Sequence, residues 1–395
     1  MKTKILFIPH PMASHIIPLA SLAKMLSPES YQMTFLLPKE FHSHIQNLGF
    51  QTFEMDRQWN DELMKELMTI EAFRPDILVD DLNFYTGFSS RVHSIPRVSI
   101  VRTGILPNEQ NTPGYEHSSG LIKHFDKLKS FKLYEENMWE PQSKSDLFVG
   151  DVNILPAIPS IEKLPDKIPD KQSYFYSGPL VLNDLDMTAT GVFSDDMFKL
   201  VSDFLSRNED RKKIYFTIGL GQPEVIYENA LTCLQHLLDK GHAVITNIEN
   251  FEPHEEVAAQ CFYAPFVPMN QVCRNVDLMI HQCGSATYNY QLQHTLPAIV
   301  LGSKCYDRDD IAIRLDEVNA AEYISADLDR GTYHDKFINS VQRLLFNKEK
   351  IDAMKKILCR LKGEIQKVQE EFDFDEIINT LLSKHHNSKT KTKVL

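Results

Sequence analysis

Residues 9–26, "PHPMASHIIPLASLAKML", decide how the rest of the chain is read. The stretch just before their end of the strand, "KILFI" (4–8), is almost wholly apolar, as expected of a strand covered on both faces. Further on, Leu19, Leu22, Ala23 and Leu26 recur at i, i+3, i+4 and i+7, a helical stripe. Pro18 suits the first helical position, where a missing N–H costs nothing. The spacing therefore puts His15 in a strand-to-helix turn, at the carboxyl end of a first strand. In open α/β sheets ligands gather there.

Outward from this unit the same alternation continues. Strand-like runs "MTFLL" (33–37), "ILV" (77–79), "RVSIV" (97–101) and "DLFVG" (146–150) are separated by helical patterns. After a polar, turn-rich break around 180–210 it restarts with "KIYFTI" (213–218), "HAVIT" (242–246), "DLMI" (277–280) and "PAIVL" (297–301). Strands alternating with helices predict parallel sheets, and the restart predicts two of them. The expected division is a first α/β domain over 1–190, a linker over 191–210, a second α/β domain over 211–365, and a C-terminal helix with a basic tail over 366–395.

Composition narrows the function classes. With 395 residues, 43% of them hydrophobic, and a formal charge of −12, the chain has enough apolar material for two cores. It lacks the basic balance of a nucleic-acid binder. No apolar run reaches the length of a membrane span, and the N-terminus is too soon broken by Pro and His for a secretory signal. We expect a cytoplasmic protein without stable membrane insertion, a monomer or homodimer. Its six cysteines, all in the second half and without a C-x-x-C pair, are expected to be reduced thiols.

Four stretches carry chemistry. His15 is a candidate general base, since imidazole titrates near neutrality. "RPDILVDDLNF" (74–84) ends an apolar strand in Asp80 and Asp81, which brings carboxylates to the same sheet edge, where one could orient the imidazole. In the second half, "TIGLGQPE" (217–224) and "HQCGSAT" (281–287) each follow a buried strand and open a helix. Small residues at a helix start let a phosphate approach the backbone N–H groups. The D-x-D pairs, and His42 with His44, lack the further ligands of a metal site, so no metal is expected.

Together these segments resemble the family 1, UDP-glycosyltransferase-like enzymes of the bacterial natural-product type. "PMASHIIPLASLAKML" is similar to their "GH-x-x-P" opening, "RPDILVDDLNFYTGFSSRVHSIPRVSIV" to their "PD-x-x-x-x-D" stretch, and "LPDKIPDKQSYFYSGPLV" to the segment entering the linker. "FVPMNQVCRNVDLMIHQCGSATYNYQLQHTLPAIVLGSKCYDRDDIA" resembles their nucleotide-sugar signature. The resemblance implies a GT-B fold: two Rossmann-like domains facing across a cleft, with C-terminal helices packing back toward the first. It implies an acceptor, a small hydroxylated molecule, on the first domain and a UDP- or dTDP-sugar co-substrate on the second, with no other cofactor. It also implies inverting transfer, with His15 as base and Asp81 as its partner. Thr217, Gly219, Phe266, Val267, His281, Gln282, Gly284, Ser285, Ala286, Thr287, Asp307 and Arg308 would surround the donor.

The sequence departs from the family pattern at named positions. Phe266 stands for a tryptophan, Met269 for a glutamine, Gln282 for the diphosphate-binding histidine, and Tyr290 for the ribose-binding glutamate. Asp307–Arg308 replaces an Asp–Gln pair, and Ile311 an asparagine. These changes raise the expectation of a donor other than UDP-glucose: a deoxysugar if the apolar replacements line the site, or an acidic sugar if Arg308 does. They also leave open a second reading, a GT-B protein that binds nucleotide sugars without transferring them.

Overall fold

The computed structural model describes residues 2–55, 59–106, 147–192, 194–219, 223–305 and 308–392. Two parallel sheets organise it. The first contains β1 (Thr3–Pro9), β2 (Tyr31–Leu37), β3 (Gln51–Glu54), β4 (Ile77–Asp81), β5 (Arg97–Ile100), β6 (Val152–Leu155) and β7 (Tyr174–Tyr176), in the order β3-β2-β1-β4-β5-β6-β7. The second contains β8 (Lys213–Phe216), β9 (Ala243–Thr246), β10 (Cys261–Tyr263), β11 (Leu278–His281), β12 (Ala298–Leu301) and β13 (Glu322–Ile324), in the order β10-β9-β8-β11-β12-β13. This is the two-sheet α/β architecture that the alternating runs predict.

Helices α1 (Ala13–Lys24), α2 (His42–Gln46), α3 (Trp59–Phe73) and α4 (Thr86–His93) belong to the first half. Helices α5 (Asp184–Ala189) and α6 (Asp195–Arg207) connect the sheets. They are followed by α7 (Glu224–Asp239), α8 (Met269–Asn275), α9 (Ser285–His294), α10 (Arg308–Glu317), α11 (Arg330–Phe346), α12 (Lys348–Glu371) and α13 (Phe374–Thr392). No helix among the described residues is long and apolar enough to cross a membrane.

β1 is apolar throughout because both of its faces are covered. Ile5 and Phe7 join a core with α1 residues Leu19, Leu22 and Ala23, whereas Leu6 and Ile8 pack with Ile70 and Phe73 of α3. The alternation carries into β4, where Ile77 and Val79 lie on the α1 face and Leu78 on the α3 face. Side chains of consecutive strand residues point to opposite faces. Asp81 therefore follows Val79 toward α1, and Asp80 follows Leu78 away from it. On that far face Arg97 grips Asp80 through Nε (2.7 Å) and Nη2 (2.8 Å), while Ser99 Oγ donates to Oδ1 at 2.8 Å.

Several expectations are revised. α1 starts at Ala13, so Pro18 lies inside the helix and His15 occupies its first turn, not a loop. The missing proline N–H leaves the Ser14 carbonyl without its usual i+4 donor, a loss tolerable near the helix start. "DLFVG" supplies no strand. Leu147 and Phe148 are buried beside Phe84, Phe88 and Leu155, and the strand falls five residues later, at Val152–Leu155. Within the interval read as a linker, α6 packs Val201, Phe204 and Leu205 into the second core. At the end of the chain the expectation holds: α13 places Phe374, Ile377, Ile378 and Leu381 in the first core, so the C-terminal segment packs back on the N-terminal half. All six cysteines are free.

The two halves meet at their sheets' carboxyl ends. Beyond β5, Thr103 Oγ1 lies 3.2 Å from Asp310 Oδ2 on α10. Beyond β6, the Pro156 carbonyl accepts from Asn289 Nδ2 of α9 at 3.2 Å. Between them Glu162, fully buried, accepts from Tyr288 Oη (2.9 Å) and the Thr103 N–H (3.2 Å). Burial pushes its carboxyl above the usual range, and Arg102 and these donors oppose the shift.

Asp80→Asn should strand the buried Arg97 and cost roughly 3 kcal/mol or more of stability. Urea unfolding of the variant, with intact secondary structure before the transition, checks this; an unchanged midpoint would contradict it.

Candidate functional site

Strand order reverses between β1 and β4 in the first sheet, and between β8 and β11 in the second. At such a reversal the two crossovers leave in opposite directions and open a crevice at the carboxyl ends. Each crevice here is bridged by one polar pair.

In the first, His15 Nδ1 is 3.1 Å from Asp81 Oδ1. The ring N–H is not aligned for a straight hydrogen bond, and neither Nδ1 nor Asp81 Oδ2 has another partner. Asp81 is buried, with a side-chain exposure of 3% against 18% for His15. A buried carboxylate beside Nδ1 favours the tautomer protonated there, leaving Nε2 as the acceptor. Catalytic hydrogen bonds are commonly loose in unliganded proteins.

The backbone fixes this pair. The His10 N–H donates to the Asp81 carbonyl at 2.9 Å, tying the ends of β1 and β4. Leu82, the next residue, is left-handed (φ 51°), and Asn83 Oδ1 accepts from the Tyr85 and Thr86 N–H groups at 2.8 and 3.2 Å. A non-glycine residue in that region is strained and persists only where its surroundings enforce it.

Sequence reasoning missed His10. Its ring packs edge-on against His15 (centroids 5.4 Å apart) and against Phe84 (5.9 Å). Burial, with neighbouring His15, lowers its pKa to about 4, so it is neutral near pH 7. The available signal was its place in the same short segment, right after the strand.

In the second crevice the Gly219 N–H donates to Gln282 Oε1 at 2.8 Å. This joins the residues that follow β8 and β11. Gln282 is 3% exposed and its Nε2 has no acceptor. Cys283 is left-handed (φ 52°), and α9 starts at Ser285 behind Gly284 without a side-chain cap. The first-turn N–H groups of Ser285, Ala286 and Thr287 therefore lack intrahelical acceptors. Thr217 is buried at the end of β8, its N–H donating to the Ile280 carbonyl. Phe266 is 46% exposed on the loop between β10 and α8, and Val267 beside it is buried.

Four sequence-derived placements change. His281 is fully buried, its Nε2 facing Gln291 Oε1 (3.1 Å) and its Nδ1 accepting from the Cys283 N–H (3.0 Å). With both nitrogens occupied it supports the turn and has none to offer a donor. Tyr290 is buried, its hydroxyl directed at the Leu182 carbonyl (3.4 Å), and Ile311 sits in the second core. Neither faces the crevice, so neither replacement favours a deoxysugar. The backbone at Gly219 is approached by a group of the chain itself: a Cβ there would lie 2.0 Å from Arg308 Nη1. Asp307 and Gly221 fall outside the described residues, as do 107–146.

No protein-family model matches the chain, and no curated protein matches it in sequence. Solved structures do match it. The glycotransferase of kitacinnamycin gives a TM-score of 0.72 at 15% identity, covering 97% of this chain and 100% of that one. The chain has the GT-B fold. Spinosyn forosaminyltransferase SpnP follows with a TM-score of 0.69 at 14% identity, over 97% and 100%. Spinosyn rhamnosyltransferase SpnG complexed with thymidine diphosphate gives 0.65 at 16%, over 92% and 96%. Identities this low carry the fold, and the chemistry rests on the side chains.

Burial of His281 lowers its pKa to about 4, below the value near 6.5 of an unfolded histidine. The unfolded chain therefore binds the extra proton first, and stability present above pH 6.5 is lost as pH falls toward 4. At pH 5 this histidine should account for about 2 kcal/mol of the loss. His281→Asn should flatten the acid limb of a denaturation-against-pH curve by about that amount; an unchanged limb would contradict it.

Proposed function

We propose that the protein is an inverting glycosyltransferase. It moves a sugar from a UDP- or dTDP-linked donor to a hydroxyl of a small-molecule acceptor. The observation that supports this best is the His15–Asp81 pair at one strand-order reversal, in a fold whose second reversal carries an uncapped helix start and unpaired donors. Solved structures of the same fold include one whose description names thymidine diphosphate and another the spinosyn aglycone, in keeping with both ligand classes.

His15 Nε2 takes the proton from the acceptor hydroxyl as its oxygen attacks the anomeric carbon. The new C–O bond forms opposite the breaking bond to the diphosphate, so the configuration inverts. Asp81 stabilises the imidazolium that results. The nucleoside diphosphate leaves with the bonding electrons, and the N-terminus of α9 meets part of its charge. Exposed Phe266 offers its ring to the nucleobase.

A thermal-shift screen of nucleoside diphosphates and their sugars tests the donor class, because a ligand of the native state raises the midpoint. UDP or dTDP should stabilise the protein and most other nucleotides should not. Binding of a nucleotide sugar without transfer to any hydroxyl would favour the non-transferring reading instead.

Positioned proton transfer is worth roughly 10²–10⁴-fold. His15→Ala should lose turnover on that scale with nucleotide affinity nearly unchanged, and Asp81→Asn should lose less. Wild-type rates on an alcohol acceptor would remove His15 from the role. At Gly284 a Cβ would meet only Thr287 Oγ1, at 3.6 Å, so Gly284→Val should fold normally yet weaken nucleoside-diphosphate binding. Among the described residues no group of three or more His, Cys, Asp or Glu is placed to hold a metal. Turnover should persist in excess EDTA; its loss, reversed by Mg²⁺ or Mn²⁺, would contradict this.

A further inference from the structure

Arg308 opens α10, just beyond β12, yet its guanidinium reaches across to the end of β8. A Cβ built on Gly219 would lie 2.0 Å from Nη1, 2.8 Å from Cζ and 3.0 Å from Nη2. The guanidinium thus lies on the bare face of Gly219, and any side chain there would displace it. Gly219 is not left-handed, so its backbone does not require glycine. The contact that a side chain at this position would disturb is therefore the one with Arg308.

No carboxylate pairs with Arg308 among the described residues. This differs from the neighbouring cations and anions on the same helix and loop. Asp309 is spent on the Ser303 and Lys304 N–H groups, both at 2.8 Å, Asp310 pairs with Arg314 at 3.2 Å, and Lys304 pairs with Asp327 at 2.8 Å. Asp309 thereby anchors the turn that carries Arg308. The same Gly219 donates its N–H to Gln282, whose buried Nε2 lacks an acceptor. A buried amide donor left unpaired is costly, and a bound acceptor would remove that cost. Among the described residues, a guanidinium without a carboxylate partner and an amide whose Nε2 has no acceptor therefore meet at one glycine, and the uncapped start of α9 follows Gln282 by three residues.

We propose that Arg308, seated on Gly219, supplies the positive charge for the diphosphate of the nucleotide, with Gln282 Nε2 as an additional neutral donor. This rests on the reading of the second crevice as the nucleotide-sugar site. It changes the role that the sequence suggested for Arg308, from selecting an acidic sugar to holding the diphosphate common to every donor. It also accounts for the glutamine at 282: the cation has moved to another strand end, and an amide suffices where the family places a histidine. A guanidinium makes paired, charge-assisted hydrogen bonds to phosphate oxygens and keeps its charge throughout the working pH range.

Isothermal titration of UDP, dTDP, uridine, thymidine and UDP-glucuronate into wild type, Arg308→Gln, Arg308→Lys and Gly219→Ala tests the assignment. Arg308→Gln should weaken UDP and dTDP about 10- to 100-fold, the span of a lost charge-assisted contact, and leave uridine and thymidine within twofold. Arg308→Lys should recover part of the loss. Gly219→Ala, which keeps the arginine but takes its seat, should fall between wild type and Arg308→Gln. Equal diphosphate affinity in wild type and Arg308→Gln would overturn the proposal while leaving the nucleotide site standing. So would tighter binding by Arg308→Gln, the mark of a side chain that blocks the crevice. A loss confined to UDP-glucuronate would assign Arg308 to a sugar carboxylate and overturn it as well. Failure of wild type to bind any diphosphate would overturn both this proposal and the reading beneath it.

Discussion

Parallel strands joined by right-handed crossovers leave a crevice wherever the order of strands reverses, and this chain has two such reversals, one in each sheet. The constraint is topological. At β1 and β4, and again at β8 and β11, neighbouring strands send their helices to opposite sides of the sheet, so the carboxyl ends stay uncovered. The contacts of Thr103 with Asp310, of Pro156 with Asn289 and of Glu162 with Tyr288 hold these open ends together. Without that apposition, His15 and Gln282 would be unrelated polar groups on separate sheets.

Local strain is concentrated at the same edges. Leu82, Cys283 and Lys304 are left-handed non-glycine residues, and each follows a strand that ends at the apposed face. Each is enforced by nearby hydrogen bonds: Asn83 capping the next turn, His281 accepting from the Cys283 N–H, and Asp309 accepting from the Lys304 N–H. The polar residues that do this work are satisfied within the chain. Among the buried side-chain atoms without a hydrogen-bond partner, Asp81 Oδ2 and Gln282 Nε2 belong to residues at the two strand-order reversals.

Two histidines with lowered pKa values illustrate how burial sorts roles. His281 is sealed inside the second sheet and uses both nitrogens, which makes it a structural element of the turn. His10 is neutral and packs its edge against His15, restricting that ring without competing for a proton near pH 7. His15 differs because a carboxylate flanks one nitrogen and the ring is partly exposed. Residue type alone does not separate the three; surroundings do.

The sequence by itself determined the alternation of strands and helices, the restart that makes two sheets, and the grouping of His15, Asp81 and the 282–287 loop at carboxyl ends. These are legible because central strands buried on both faces must be continuous apolar runs, and a helix covering them must show a stripe. Edge strands β3, β7, β10 and β13 escaped this reading, being three or four residues long and partly exposed, so burial imposes no run on them. Only the tertiary structure decided the rest. It sent Asp80 to Arg97, turned Tyr290 and Ile311 into the core, closed both nitrogens of His281, and laid Arg308 on Gly219, 89 positions apart in the chain by their numbers. Those outcomes depend on which face a side chain takes and on what a distant segment brings to it. A linear pattern carries the period of an element but not the identity of its neighbours.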